Sequence, residues 1–145
     1  MRRQKSTNEL LQILNSTENI SDLYEYSKSE ELHTLPSSVH EYLLKHMCDA
    51  GITASELIRR SQIQRNYGYQ ILNGTKKPGR DKIIALCISL ALPLDEVQRT
   101  LAIAQEGTLY PKCRRDSILI FSINQKISVQ ETNELLYSMN EAPLN

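Results

Sequence analysis

Residues 51–97 read GITASELIRRSQIQRNYGYQILNGTKKPGRDKIIALCISLALPLDEV, and this stretch decides the fold. Thr53 with Glu56 three residues later forms a capping box, which predicts the start of a short helix. A second helix is predicted over residues 64–73, and it ends at Gly74 because glycine readily adopts the left-handed backbone that stops a helix. Apolar residues at helical spacing then predict two further helices. We therefore expect four closely spaced helices here.

Both flanks of this stretch also have helical patterns. Capping boxes at residues 6–9 and 128–131 predict two more helix starts, and a short helix is expected over residues 21–29. Apolar residues at helical spacing run through residues 37–51, and residues 118–123 form a strongly apolar helix. No stretch shows a convincing strand period. We predict an all-α protein with an N-terminal helical extension at 1–36, a central domain at 37–106 and a C-terminal helical hairpin at 107–145.

Positive charge is concentrated in the middle of the chain. The net charge is zero, yet residues 51–82 carry 7 basic and 2 acidic side chains, whereas residues 1–50 carry 5 and 8. Residues 83–145 carry 5 basic and 7 acidic side chains. A positive region between negative flanks can be steered onto phosphate while the rest of the surface is repelled. A chance fluctuation on a solvated face remains the alternative.

The helix predicted over residues 64–73 carries a polar stripe. Spacings of three and four residues place five side chains on one face: Arg65, Asn66, Tyr69, Gln70 and Asn73. Arginine suits the two acceptors of guanine, and Asn or Gln suits the acceptor–donor pair of adenine. No acidic residue occurs between Leu57 and Gly79, whereas an ordinary solvated helix face pairs Glu with Lys. The stripe and Gln64 are therefore the candidate base-reading residues.

The order of elements over residues 39–97 resembles the Cro- and lambda-repressor-type (XRE) helix-turn-helix family. The shared order is a capped helix, a short turn, a polar helix ending in Asn-Gly, a basic loop with Pro, and an amphipathic helix ending in Leu-Pro-Leu-Asp-Glu. The resemblance implies a lambda-repressor-like core with residues 64–73 as the recognition helix in the major groove. It also implies that the helix starting at Thr53 crosses above and touches phosphate. The candidate phosphate contacts are Thr53, Ser55, Lys76, Lys77 and Arg80, with Tyr67 either on the sugar-phosphate wall or against the core.

This stretch departs from the family pattern in several places. The family usually has a small residue where this chain has Ile58 and a large apolar residue where it has Gly68, and those two positions pack together. We expect a compensating exchange in which Ile58 fills the space that Gly68 vacates. Gln62 replaces a common glycine, which predicts a wider turn or a strained residue. Ala54 stands where a phosphate-binding Gln is often found.

The remaining reactive side chains form no recognisable site. The cysteines lack C-x-x-C spacing and are expected as buried small hydrophobes in a reducing cytoplasm: Cys48, Cys87 and Cys113. The histidines lack metal spacing and a carboxylate relay: His33, His40 and His46. There is no nucleophile setting, Gly-rich phosphate loop, membrane-length apolar run or secretory signal. We expect a cytoplasmic protein with no cofactor, no metal and no enzymatic activity.

The sequence therefore predicts a DNA-binding transcriptional regulator of the repressor kind that acts on double-stranded DNA as a homodimer. Residues 118–123 are expected either as core plus dimer interface or as the buried helix of a hairpin. The alternative class is a protein-interaction module, such as an antitoxin or a phage-encoded inhibitor of a host defence system, bound through an N- or C-terminal extension. The chain length supports this alternative, because 145 residues is about twice what the DNA-binding unit requires. Structured RNA is a weaker third option.

Overall fold

The computed structural model describes residues 7–16 and 38–145. These two ranges contain eight helices and no strand, which confirms the predicted all-α class. Residues 1–37 and residues 38–145 form separate compact units. In the first unit, α1 runs over Thr7–Ser16, where a helix is predicted. The helix predicted over residues 21–29 and the first residue of the N-terminal capping box lie outside the described residues.

The second unit contains the remaining seven helices. Their bounds are α2 (Val39–Ala50), α3 (Ala54–Ser61), α4 (Arg65–Leu72), α5 (Arg80–Ser89), α6 (Leu94–Ile103), α7 (Arg114–Gln125) and α8 (Val129–Ser138). Residues 107–145, which the sequence analysis treats as an extension, lie in the same compact unit as the central helices. The division between the two compact units falls after residue 37.

Helix α5 is the centre of the core of the second unit. All six residues from Ile83 to Ile88 are buried, so the helix is enclosed on every side. It contacts α3, α6 and α8. The inner sides of those helices supply large side chains with no exposed surface, such as Leu57, Leu101 and Leu136. Helix α3 therefore packs directly on this core, and α4 packs on α3 and α2.

Two reciprocal ion pairs join the start of α5 to the start of α7. Arg80 donates to both carboxylate oxygens of Asp116 at 3.0 and 2.8 Å. Arg115 donates to both oxygens of Asp81 at 3.0 and 2.9 Å. Each helix thus contributes one arginine and one aspartate in adjacent positions, and both pairs are bidentate. We call these four residues the ion-pair clasp.

The apolar helix at residues 118–123 is mainly a core element. Ile118, Leu119 and Ile123 are buried in α7, whereas Phe121 is 53% exposed. The helix therefore packs in the hairpin and also presents one large apolar side chain outward. Among the described residues, no helix is long and apolar enough to cross a membrane.

The expectation that all three cysteines are buried is wrong. Cys87 is fully buried in α5, but Cys48 and Cys113 are exposed. Cys48 lies in the last turn of α2, and Cys113 precedes the first residue of α7. Both therefore lie near a helix end, where neighbouring elements cover a side chain less completely than in the middle of the core.

Candidate nucleic-acid interface

Helices α3 and α4 are joined by the three residues 62–64. Gln62 has φ 57°, in the left-handed region, which confirms the strained residue expected in this turn. Its N–H donates to Arg59 O at 3.2 Å, and the N–H of Ile63 donates to Ile58 O at 3.4 Å. This pair of bonds closes the end of α3 in the way that glycine usually does. The turn is therefore tight, and the chain enters α4 directly.

Gly68 allows α3 and α4 to approach closely at their joint. A Cβ atom at Gly68 would lie 2.7–2.9 Å from the Cγ1, Cγ2 and Cδ1 atoms of Ile58. Ile58 is 3% exposed, so its side chain occupies the space beside the glycine. This contact is the one expected if Ile58 fills the space that Gly68 vacates.

The polar stripe of α4 lies on the outer side of the second unit. Arg65, Asn66, Tyr69 and Asn73 are exposed and Gln70 is half-buried, whereas Gly68, Ile71 and Leu72 on the opposite side are buried. The guanidinium carbon of Arg65 lies 5.9 Å from the centroid of the Tyr69 ring, within cation–π range. The outer side of α4 thus presents one cation, one phenol and three amides, with no carboxylate on the helix.

The residues at the two ends of α4 also stabilise its backbone. Gln64 is the N-cap, and its Oε1 accepts the N–H of Tyr67 at 2.8 Å. Asn73 follows the helix, and its Oδ1 accepts the N–H of Thr75 at 2.9 Å. Both side chains are exposed, but each already has one oxygen engaged in a helix-end bond. Each side chain can still donate hydrogen bonds to a ligand through its amide NH₂ group.

Tyr67 packs partly against the core. Its side chain is half-buried, and Lys82 Nζ lies 6.0 Å from its ring centroid. Of the two roles considered for Tyr67, the structure places it in a core contact, with one part of the ring still accessible.

The basic loop after α4 is open to solvent. Lys76 and Lys77 are exposed, and the N–H of Lys76 donates to Gln70 O at 3.1 Å, which holds the loop against the end of α4. Thr53 and Ser55 are exposed at the start of α3, although Thr53 Oγ1 already accepts the N–H of Glu56 at 3.2 Å. These four residues, predicted as phosphate contacts, can be reached by a ligand.

Arg80, also predicted as a phosphate contact, is held by hydrogen bonds within the second unit. Besides the clasp with Asp116, its guanidinium donates to Gly107 O at 2.7 Å and Thr108 O at 3.1 Å. Burial of Asp116 raises its pKa, but the hydrogen bonds from Arg80 and the Tyr110 N–H more than offset this and leave that pKa below its usual range. Four of the five N–H groups of this guanidinium thus donate within the second unit, which leaves at most one for a phosphate.

Glu56 neutralises part of the positive charge of α3. Its carboxylate accepts hydrogen bonds from Arg59 and from Arg60, the latter at 2.9 Å, rather than reaching back to the N-cap N–H as a full capping box would. The hydrogen bonds from Arg59 and then Arg60 lower the pKa of Glu56 to about 2. The carboxylate is therefore ionised at any physiological pH and balances one of the two arginines, so this face keeps the charge of the other arginine together with the charges of Arg65, Lys76 and Lys77.

One further residue, which no sequence pattern indicates, lies beside this surface. His40, in the first turn of α2, covers Gly74: a Cβ there would lie 2.8 Å from the ring Cε1 and 2.9 Å from Nδ1 and Nε2. Ser38 Oγ lies 2.8 Å from His40 Nδ1. The two residues are 34 positions apart, and no local pattern indicates the contact.

No protein-family model, curated protein or solved structure matches this chain. Within the described ranges, no group of three or more His, Cys, Asp or Glu side chains could hold a metal ion. The exposed groups predicted to contact DNA are arginine, lysine, amide, phenol and hydroxyl groups.

Proposed function

We propose that this protein is a sequence-specific DNA-binding transcriptional regulator that reads the major groove with α4. The observation that carries the proposal is the outer side of α4, where a guanidinium and three amides are held outward by a buried opposite side. A helix face that only has to be soluble would be served equally well by paired Glu and Lys residues. The combination of arginine and amides without an acidic residue therefore favours a binding role.

The dimensions of α4 suit this role. An α-helix with its side chains is about 10–12 Å across, and the major groove of B-DNA is about 12 Å wide, so a helix such as α4 can enter it. The first residue of α4 is Arg65, so a guanidinium extends from the helix end that carries the positive pole of the macrodipole. The groups with base-reading chemistry therefore start at the end of the helix that favours an anionic ligand.

Lys76, Lys77, Thr53 and Ser55 are the proposed phosphate contacts. They lie on the two segments adjoining the ends of the α3–α4 pair, as expected for groups that fix register while α4 reads bases. In this proposal two copies bind a palindromic site, with half-sites about one helical turn apart. Phe121, the exposed apolar side chain in the middle of α7, is the proposed contact between the two copies.

The test is selection of bound sequences from a random duplex pool by the purified protein at two salt concentrations. A single enriched motif is expected, with affinity falling steeply as salt rises because counterions are released from the neutralised phosphates. Failure to enrich any motif, or affinity independent of salt, would contradict the proposal.

Variants separate base reading from phosphate binding. Arg65→Ala is expected to weaken binding to the selected motif by about 1–3 kcal/mol and to relax the preference at one position. Lys76→Ala should weaken all duplexes alike and reduce the salt slope by about one. Lys112→Ala, which removes another exposed lysine outside the α3–α5 segment, is the control and should leave the slope unchanged.

The second candidate function is a protein-interaction module. It is favoured by the exposed aromatic side chains of residues 107–145, since Tyr110 is 58%, Phe121 53% and Tyr137 81% exposed. If this reading is right, a defined protein partner binds in stoichiometric amount, Phe121→Ser weakens that binding, and the random pool enriches no motif.

A further inference from the structure

We propose that Tyr69 is a positioning residue, whose ring holds the guanidinium of Arg65 ready to bind a guanine of the DNA site. The inference rests on the proposed reading of the major groove by α4. It goes beyond that proposal in two ways, because it names the base that Arg65 reads and it gives Tyr69 no base of its own.

The first observation is the contact between the two side chains. The guanidinium carbon of Arg65 lies over the ring of Tyr69, 5.9 Å from its centroid. A cation over the face of an aromatic ring, within about 6 Å, is attracted to the negative charge of that face. The two residues are four positions apart on α4, and helical side chains lean toward the N-terminus of their helix. The ring therefore extends from the second turn of α4 back toward its first residue.

The second observation is that this ring is what holds the guanidinium. Arg65 is exposed, and within residues 38–145 its guanidinium has no hydrogen-bond acceptor and no carboxylate partner. By contrast, Arg59 and Arg60 on α3 both donate to the carboxylate of Glu56. All five N–H groups of the Arg65 guanidinium are thus left for a ligand, while the ring restricts where they lie.

Guanine is the base whose major-groove edge matches this group. Its O6 and N7 atoms are two adjacent acceptors, and a guanidinium is a planar fork of donors that can bind both at once. A long side chain such as arginine loses rotamer freedom when it binds, and this loss weakens the complex. A guanidinium that a ring already holds has less freedom left to lose. Tyr69 should therefore increase both affinity and base preference through Arg65.

The two tyrosines of α4 differ in their surroundings. Tyr67 is half-buried, and the cation near its ring is Lys82, at 6.0 Å. Tyr69 is 36% exposed, and its hydroxyl has no hydrogen-bond partner within residues 38–145. The hydroxyl of Tyr69 can thus be removed without removing the contact between its ring and Arg65. Tyr69→Phe therefore separates base reading by the hydroxyl from positioning by the ring.

The experiment selects bound sequences from a random duplex pool with the wild type and with each variant, and measures the affinity of each protein for the wild-type motif. Arg65→Ala should relax the preference for guanine at one position of the motif. Tyr69→Leu, which removes the ring, should relax the same position and lower the affinity about two- to fivefold, the range for an exposed cation–π pair. Tyr69→Phe, which keeps the ring, should select the wild-type motif.

The double variant Arg65→Ala/Tyr69→Leu measures the coupling between the two residues. It should bind the motif no more weakly than Arg65→Ala alone, because the ring acts only through the guanidinium. Asn66→Ala, which changes the exposed residue next to Arg65, is the matched control and should relax a different position. Circular dichroism checks that each variant is folded.

The inference is wrong if Tyr69→Phe relaxes any position, since the hydroxyl would then read a base itself. It is also wrong if Tyr69→Leu and Arg65→Ala relax different positions, if the position that Arg65→Ala relaxes is not a guanine, or if the losses of the two single variants add in the double variant. Each of these results leaves the proposed function standing. A wild type that enriches no motif overturns the proposed function, and this inference falls with it.

Discussion

Gly68 and Ile58 share one volume at the joint of α3 and α4. A side chain added at Gly68 meets three carbon atoms of a buried, β-branched isoleucine, whose rotamer has little freedom to change. Gly68→Ile should therefore lower the free energy of unfolding by about 1–3 kcal/mol through overpacking. Ile58→Ala should lower it by about 2–5 kcal/mol through the cavity it leaves.

The double variant Ile58→Ala/Gly68→Ile tests whether the two positions compensate each other. It should be more stable than Ile58→Ala alone, because the new isoleucine fills the cavity, and denaturant titration of the four proteins gives the coupling directly. If Gly68→Ile melts at or above the wild-type temperature, or if the two changes add without coupling, the shared-volume account is wrong.

Gln62 holds a left-handed conformation that is unfavourable for a residue with a side chain. The strain is roughly 1–2 kcal/mol per residue, and glycine relieves it. Gln62→Gly should thus raise the free energy of unfolding by about 1 kcal/mol. Gln64→Gly, two residues further on, removes an N-cap in ordinary extended backbone and should lower it slightly, by a few tenths of a kcal/mol. Equal effects of the two glycine variants in thermal melts would contradict this account.

The outward direction of the α4 side chains could be predicted from the sequence, whereas the roles of Arg80 and His40 could not. A helix rotates by a constant angle per residue, so one correct helix boundary orients every residue on it. Arg80 instead depends on Asp116, 36 residues away, and His40 on Gly74. Such contacts are set by how helices pack, which no local spacing reveals.

At the scale of elements, the clasp joins α5 and α7. Asp116 is 5% exposed, and its pKa in the folded protein lies below the unfolded value of about 3.9. The ion pair with Arg80 therefore contributes its full stability above the unfolded pKa. That contribution is lost as the pH falls through the pKa of Asp116 in the folded protein. Asp116→Asn should reduce the free energy of unfolding at neutral pH by about 2–4 kcal/mol, because it leaves Arg80 without its counter-ion.

Urea titrations from about pH 7 down to pH 3 check both parts of this prediction. The wild type should lose stability below about pH 4, and Asp116→Asn should lose less, since it has one fewer carboxylate to protonate. Asp49→Asn changes an exposed aspartate at the end of α2 and serves as the control, with little change at neutral pH. An acid-induced loss as steep in Asp116→Asn as in the wild type would show that the clasp does not contribute as argued.

Element boundaries were predictable where the capping chemistry is local. Thr53 and Ser128 cap α3 and α8, as the sequence indicates. The stop at Gln62 was harder to specify, because a residue other than glycine adopts φ > 0 only when the surrounding packing requires it. The capping box also predicts a hydrogen bond from the backbone N–H of Thr53 to the Glu56 carboxylate. In the structure this carboxylate binds Arg59 and Arg60 instead, which the spacing of the box does not reveal.

At the scale of the whole second unit, the C-terminal hairpin and the α3–α4 pair should unfold together. Leu119 in α7 has no exposed surface, and α7 is tied to α5 by the clasp. Leu119→Ala should lower the free energy of unfolding by about 2–5 kcal/mol. Hydrogen exchange should report the same loss at Ile71 in α4 as at Leu136 in α8.

Tyr137→Ala removes a side chain that is 81% exposed on the same hairpin and should change stability by less than about 0.5 kcal/mol. If the exchange at Ile71 stays at its wild-type rate while Leu136 loses protection, the hairpin is a separate folding unit. The sequence places a boundary near residue 106 because Gly107 and Pro111 interrupt the helical pattern there. Such a break marks a loop, and only the packing on either side decides whether it also divides two domains.

The space shared by Ile58 and Gly68 also restricts how this chain can evolve. A protein with a small residue at 58 and a large one at 68 fills the same volume, but any route between the two arrangements passes through a chain with two large or two small residues. Either intermediate sacrifices several kcal/mol of a total that is only about 5–15 kcal/mol for a typical domain. Descendants of each arrangement should consequently keep the ancestral order of sizes, even while the exposed side chains of α4 change freely.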